Sequence, residues 1–174
     1  CIACTATNSA VPISSQTVAS MRLSGMALRC HESESRPMRS LFHLAYHVHD
    51  LAAARAFYGG VLGCREGRST DTWVDFDFFG HQISLHLGQP FATTDTGRVG
   101  DAWVPMPHLG LVLQAEDWHA MAARVRAAGV PFVVKPHLRF AGQPGEQWTM
   151  FFRDPSGNPI EVKGFADLDR VYEH

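Results

Sequence analysis

The chain has 174 residues, a formal charge of −2, and 45% hydrophobic against 18% charged residues, an ordinary globular balance that suits one domain or two small modules sharing a core. Its near-neutral charge, with no basic stripe, argues against nucleic-acid or anionic-membrane partners. No apolar run reaches the roughly 18 residues that would nominate a membrane-spanning helix.

Residues 1–40 are rich in Ser, Thr and Ala, lack periodicity, and hold Met21, Met26 and Met38. They carry neither a signal-peptide apolar core nor an amphipathic Arg-rich helix. The expectation is a disordered or non-native extension, with a natural start near Met38. Cys1 and Cys4 have CxxC spacing, but no second pair or neighbouring histidine completes a zinc or redox motif. Beyond Cys30 only Cys64 remains, so the body needs no disulfides, which fits a reducing, cytoplasmic setting.

From Leu41 to His49 the residues alternate with period two. Leu44, Tyr46 and Val48 point one way, and His43, Ala45, His47 and His49 the other. Asp50 is placed to cap a helix through Ala52–Tyr58 that ends in Gly59–Gly63. A strand around 64–68 follows, then strands at 72–79 and 81–87 joined at Gly80, with Ser84 and His86 opposite Ile83, Leu85 and Leu87. Residues 88–107, rich in Gly, Pro, Thr and Asp, read as a long loop.

The second half repeats the order. His108–Gln114 alternates as a strand, Asp117 is placed to cap a helix carrying Met121 and Val125 on one stripe, and Gly129 stops it. Strands follow at 130–134, 147–153 and 159–163, with a polar loop holding His137, Arg139, Gln143 and Glu146 before the second. A weak internal repeat ties the halves together. His43-Leu44-Ala45 recurs as His108-Leu109-Gly110, and the run from Gly80 to Leu85 as Gly157 to Val162. Each half reads βαβββ and offers two matched positions, His43 with Ser84 and His108 with Glu161. Two histidines and a carboxylate at repeat-related positions are what an open divalent-metal site needs.

The stretch from His43 to Leu51, with Ala56-Phe57-Tyr58 and Val61-Leu62-Gly63, and the ending from Phe151 through Asp154-Pro155-Ser156-Gly157-Asn158 to Val162, resemble the vicinal oxygen chelate superfamily. That superfamily includes glyoxalase I, extradiol dioxygenases, and bleomycin- and fosfomycin-resistance proteins. The resemblance covers residues 41–166, leaving 167–174 as a tail. It is nearest to a bacterial branch described as extradiol-dioxygenase-like, on the segments 80–82, 135–137 and 140–147. It implies an α+β fold in which two βαβββ modules, about 41–88 and 108–164, form an open, cupped mixed sheet. It also implies one divalent metal at the cup's centre, held by His43, His108 and Glu161.

Glyoxalase I-type relatives use a fourth ligand, Glu or His, at the position matching Ser84, and serine is a poor one. Three ligands leave room on an octahedral metal for a bidentate substrate and dioxygen, which favours Fe(II), with Mn(II), Ni(II) or Zn(II) as alternatives. The expected function is a dioxygenase-like oxidoreductase acting on a small substrate with vicinal oxygens, working as a homodimer. His86, about 7 Å beyond Ser84 on the same face, is the candidate proton-transfer group, with ligation or a plain hydrogen-bonded wall position as its other readings. His47, Arg139 and Phe151 are the candidate substrate contacts. The oxygen-handling residues of ring-cleaving relatives, a Tyr before the DPxG turn and a His in the loop ahead of it, are not matched: those positions fall on Phe151 and near Gly142. A glyoxalase-like isomerase or lyase, and a metal-free resistance-type binding protein, stand as the alternatives.

Overall fold

A computed structural model describes residues 40–172. Apart from Ser40, the N-terminal stretch and its expected role lie outside the described residues. The first module begins with β1 (His43–Val48), whose Tyr46 and Val48 are buried while His43, Ala45 and His47 are exposed. Asp50 then starts α1 (Leu51–Arg55), its Oδ1 accepting from the Ala52 and Ala53 amides at 2.7 and 3.1 Å. The helix widens into a π-helical turn over Ala56–Val61 that buries Phe57 and Tyr58. Three antiparallel strands follow: β2 (Arg65–Ser69), β3 (Trp73–Phe78) and β4 (His81–Leu87). The β3–β4 turn needs a left-handed backbone at Gly80 (φ 87), and Asp77 Oδ1 accepts the Gly80 amide. β4 runs parallel to β1, giving the sheet order β1-β4-β3-β2.

The expected loop over 88–107 is instead half occupied by an antiparallel hairpin, β5 (Thr94–Val99) and β6 (Ala102–Met106). Most of its residues are exposed, but Val99 and Val104 turn inward against Val134 and Phe151. A strand with so few buried side chains leaves little apolar alternation to read.

The second module repeats the first: β7 (Leu109–Gln114), α2 (Ala115–Ala127), β8 (Phe132–Arg139), β9 (Gln147–Arg153) and β10 (Pro159–Phe165), in the order β7-β10-β9-β8. Both modules are therefore βαβββ, the mixed α+β architecture expected, although each keeps its own four-stranded sheet. Two expectations are corrected. Gln114 holds the N-cap position of α2 with no side-chain cap bond, and Asp117 lies in the first turn, where its charge still favours the helix dipole. The strand expected at 130–134 runs on to Arg139, so His137 and Arg139 are strand residues paired with Thr149 and Gln147.

α2 lies close on its sheet because Gly164 has no Cβ. One built there would come within 2.6 Å of the Trp118 ring. Trp118 is buried, and its indole N–H donates to the Val162 carbonyl at 2.8 Å. One apolar cluster, from Tyr46, Phe57 and Phe76 to Leu111, Met121 and Phe152, spans both modules. At its edge the two signature phrases meet. Asp154 Oδ1 accepts the amides of Ser156 and Asn158, while its Oδ2 accepts Tyr58 O–H at 3.0 Å and the Asn158 side-chain amide at 2.9 Å. Asn158 also donates to the His47 carbonyl, and Ser156 Oγ accepts the His49 amide. The Asp-Pro-Ser-Gly-Asn turn is thus a latch that fastens the end of β1 to the second module. Cys64 is a free thiol whose burial pushes its pKa up to about 12, and among the described residues no helix is long and apolar enough to cross a membrane.

Candidate metal and substrate site

Strand register makes the repeat geometric. Glu161 on β10 pairs with Gly110, two residues after His108, and Ser84 on β4 pairs with Ala45, two residues after His43. Because side chains alternate across a strand, His108 and Glu161 face the same side as neighbours. Their side chains meet: Nε2 of His108 lies 3.3 Å from Oε2 of Glu161.

Both groups are held. His108 Nδ1 lies 2.9 Å from the Pro105 carbonyl, so Nδ1 carries the proton and Nε2 is left facing the carboxylate. Phe151 packs edge-on to the imidazole with ring centres 5.1 Å apart. Glu161 is 7% exposed, and its Oε1 accepts the Thr149 hydroxyl at 3.1 Å. Lys163, two residues on along the same face, puts Nζ 3.7 Å from Oε2. The bond to Glu161 raises the His108 pKa above the ordinary imidazole value, and the Pro105 carbonyl adds to this against the opposing effect of burial. Burial alone would push Glu161 up. His108, Lys163 and Thr149 outweigh it and hold the carboxyl below its usual range.

The matching positions of the first module are filled differently. Ser84 is buried, and its hydroxyl donates a short hydrogen bond to Asp75 Oδ1 on β3. Asp75 Oδ2 accepts from Gln82 at 3.0 Å and from Arg68 at 3.2 Å. Burial works against this carboxylate, but the Ser84 bond and Arg68 hold its pKa low. His86 stacks on Trp73 (ring centres 6.3 Å apart) and is paired with His47 across β4 and β1, so the three side chains form one row over the sheet. A cavity of about 450 Å³ lies along His47, His86, Gln89 and Phe91. A smaller one of about 220 Å³ lies between Leu44, Tyr46, Phe91 and His108.

Of the remaining expected residues, His43 and Arg139 do not join the His108–Glu161 pair. His43 is exposed on β1 opposite Gln82, and among the described residues no group of three or more His, Cys, Asp or Glu is positioned to hold a metal ion. Arg139 is on the edge strand β8, its guanidinium stacked 4.6 Å from the centre of the Phe140 ring. Phe151, expected to touch substrate, is fully buried under the hairpin and acts as the wall behind His108.

Comparison with known proteins agrees with this architecture. The model of the glyoxalase/bleomycin resistance protein/dioxygenase superfamily matches residues 40–162. The chain belongs to that superfamily. A glyoxalase/bleomycin resistance protein/dioxygenase from Alicyclobacillus acidocaldarius is 31% identical, with a TM-score of 0.60 over 76% of this chain and 96% of that one. An integron cassette protein from Vibrio cholerae is 28% identical, with a TM-score of 0.50 over 75% of this chain and 98% of its own. The fosfomycin resistance protein FosX from Listeria monocytogenes, at 21% identity, shares the fold, with a TM-score of 0.56 over 77% of this chain and 98% of its own. No curated protein matches. Within a superfamily that typically uses a divalent metal, His108 and Glu161 suit such an ion: an imidazole whose Nδ1 is held by a carbonyl, beside a carboxylate hydrogen-bonded through its other oxygen.

Sequence reasoning missed four parts of this site. Asp75 and Lys163 had a usable signal, because Asp75 alternates with Val74 and Phe76, and Lys163 lies two residues from Glu161. Thr149 likewise alternates with buried Met150 on β9. The Pro105 carbonyl had none, since its approach to His108 depends on the hairpin's path.

Proposed function

We propose that this protein is a metal-dependent enzyme of dioxygenase type acting on a small substrate with vicinal oxygens. His108 and Glu161 hold the ion, and His43 of a second copy of the chain completes the set. The observation that carries this reading is the His108–Glu161 pair itself, with each partner oriented by a further hydrogen bond. A partly buried pair built only for stability gains little over apolar packing, because desolvation offsets its Coulomb energy. Coordination gives it a reason to exist.

When bound, the ion would lower the pKa of substrate oxygens and supply Lewis-acid and oxygen chemistry. The chain's own residues do the rest. Pro105 fixes the His108 tautomer so that Nε2 keeps its lone pair. Thr149 takes one oxygen of Glu161 and leaves the other, which faces His108 and Lys163, to bind the ion. Ser84 is committed to Asp75, which leaves the fourth-ligand position of isomerase relatives without a donor and favours the dioxygenase reading. His86, held against Trp73, is the group assigned to carry protons, beside His47 at the substrate. In this reading the chain works as a homodimer, because His43 is exposed on β1 and does not join the His108–Glu161 pair within one chain.

The test is metal content and oxygen uptake. Protein purified without oxygen from cells given mixed metals is expected to hold about one iron or manganese per chain and to consume dioxygen with a catechol-type or related substrate. Nickel or zinc with oxygen-independent turnover would identify an isomerase instead, and no metal would leave a binding protein. Mixing inactive His43→Ala and His108→Ala chains should restore up to about a quarter of the sites if they are shared between copies, and none if they are not.

A further inference from the structure

The registers align the open faces of the two modules row by row. The row after the ligand positions holds His86, Trp73 and His47 in the first module and Lys163, Thr149 and Val112 in the second. Lys163 is therefore the counterpart of His86, the residue assigned to proton transfer. It is half-buried on the face that carries Glu161, and its ion-pair partner among the described residues is Glu161.

That arrangement is lopsided once His108 and Glu161 bind a dication, the reading on which this inference rests. One carboxylate would then serve both a divalent ion and an ammonium, with two imidazoles neutral. The local charge would be +2, at a buried carboxylate where like charges repel strongly. A vicinal diol that stays protonated leaves that imbalance in place. A ligand bringing two negative charges on adjacent oxygens removes it, one oxygen facing the ion and the other the ammonium. Beyond Lys163 on the same face, the paired strands carry His137 next to Thr149, so donors continue in that direction.

We propose that Lys163 is the specificity-determining residue of the site. It receives an ionised oxygen of the substrate, and so selects acids whose carboxylate adjoins the coordinating oxygen over uncharged diols.

The experiment uses the full chain, Mn(II) as the metal and oxalate as the probe, with binding followed by calorimetry. In Mn(II)-loaded protein, Lys163→Gln is expected to weaken oxalate by about tenfold or more, the loss of one charge-assisted hydrogen bond. Lys163→Arg should stay within about threefold of wild type. Lys163→Gln should also bind Mn(II) at least as tightly as wild type, because a like charge has gone. Equal oxalate affinity in wild type and Lys163→Gln, or equal loss in the Gln and Arg variants, overturns the assignment. If wild type binds no Mn(II), the metal reading fails separately. Oxalate binding to the metal-free chain that disappears in Lys163→Gln would still support Lys163 as the anion receptor, and binding indifferent to that substitution, or none, would overturn it.

Discussion

The two modules put the same rows of positions on their open faces and fill them with different chemistry. In the second, Glu161 sits beside Phe151, so the carboxylate has no acidic neighbour across the strand and turns toward His108. In the first, the matching Ser84 sits beside Asp75, and that carboxylate is consumed by Ser84, Gln82 and Arg68. One buried acid is presented outward and the other is satisfied internally. A duplicated fold can thus keep its hydrogen-bonded frame in both copies while giving the buried acid of each a different set of partners, provided each copy neutralises its own buried charge.

The harshest way to break this contrast is to remove Glu161 or His108. Glu161→Ala and His108→Ala should each lower metal affinity by at least a hundredfold while leaving the circular dichroism spectrum intact. Metal retained at wild-type level in either variant would place the ion elsewhere. Replacing the hairpin 94–106 with a short Gly-Ser linker removes the Pro105 carbonyl and uncovers Phe151. Loss of such an orienting partner should cost about ten- to a hundredfold in metal affinity, read by the same titration, and unchanged affinity would mean that the hairpin does not orient His108.

In the first module, Asp75→Ala should leave metal stoichiometry unchanged but cost about 1–3 kcal/mol of stability, because the buried Ser84 hydroxyl and the Gln82 amide lose their acceptor. Denaturant melts check the second half of that statement and metal analysis the first.

The smallest effect is one of pH, in the metal-free protein. His108 has a raised folded pKa, so its contribution is complete below the unfolded value of 6.5 and fades as pH rises through the folded one. Glu161 has a lowered folded pKa, so its contribution is complete above 4.5 and fades as pH falls through the folded one. The melting-temperature advantage of wild type over His108→Gln should therefore be greatest between pH 4.5 and 6.5 and shrink on both sides. A difference that stays level to pH 9 would show that the pair is not ionised as described.

Most of the fold was legible, because alternation and capping are local. The face assignments of β1, β4, β7 and β10 and the Asp50 cap follow from residues within a few positions of one another. The hairpin was not legible, since Thr94–Arg98 buries almost nothing and looks like loop. The length of β8 was hidden by Pro136 and by charged residues that an edge strand tolerates. In the site, His108 and Glu161 were legible as a repeat-related pair. Lys163 and Asp75 were passed over because charged residues on a polar strand face resemble solvated ones.

By itself the sequence determined that there are two βαβββ modules, which faces they bury, and which side chains stand at the matched positions. Those properties depend on period and residue type, which neighbouring residues set between them. Only the tertiary structure decided that His108 and Glu161 touch while His43 stands apart, that Ser84 is tied to Asp75, and that the Asp154 turn latches onto Tyr58 and β1. Each of these depends on strand register or module docking, which couple residues as much as 111 positions apart through one shared core.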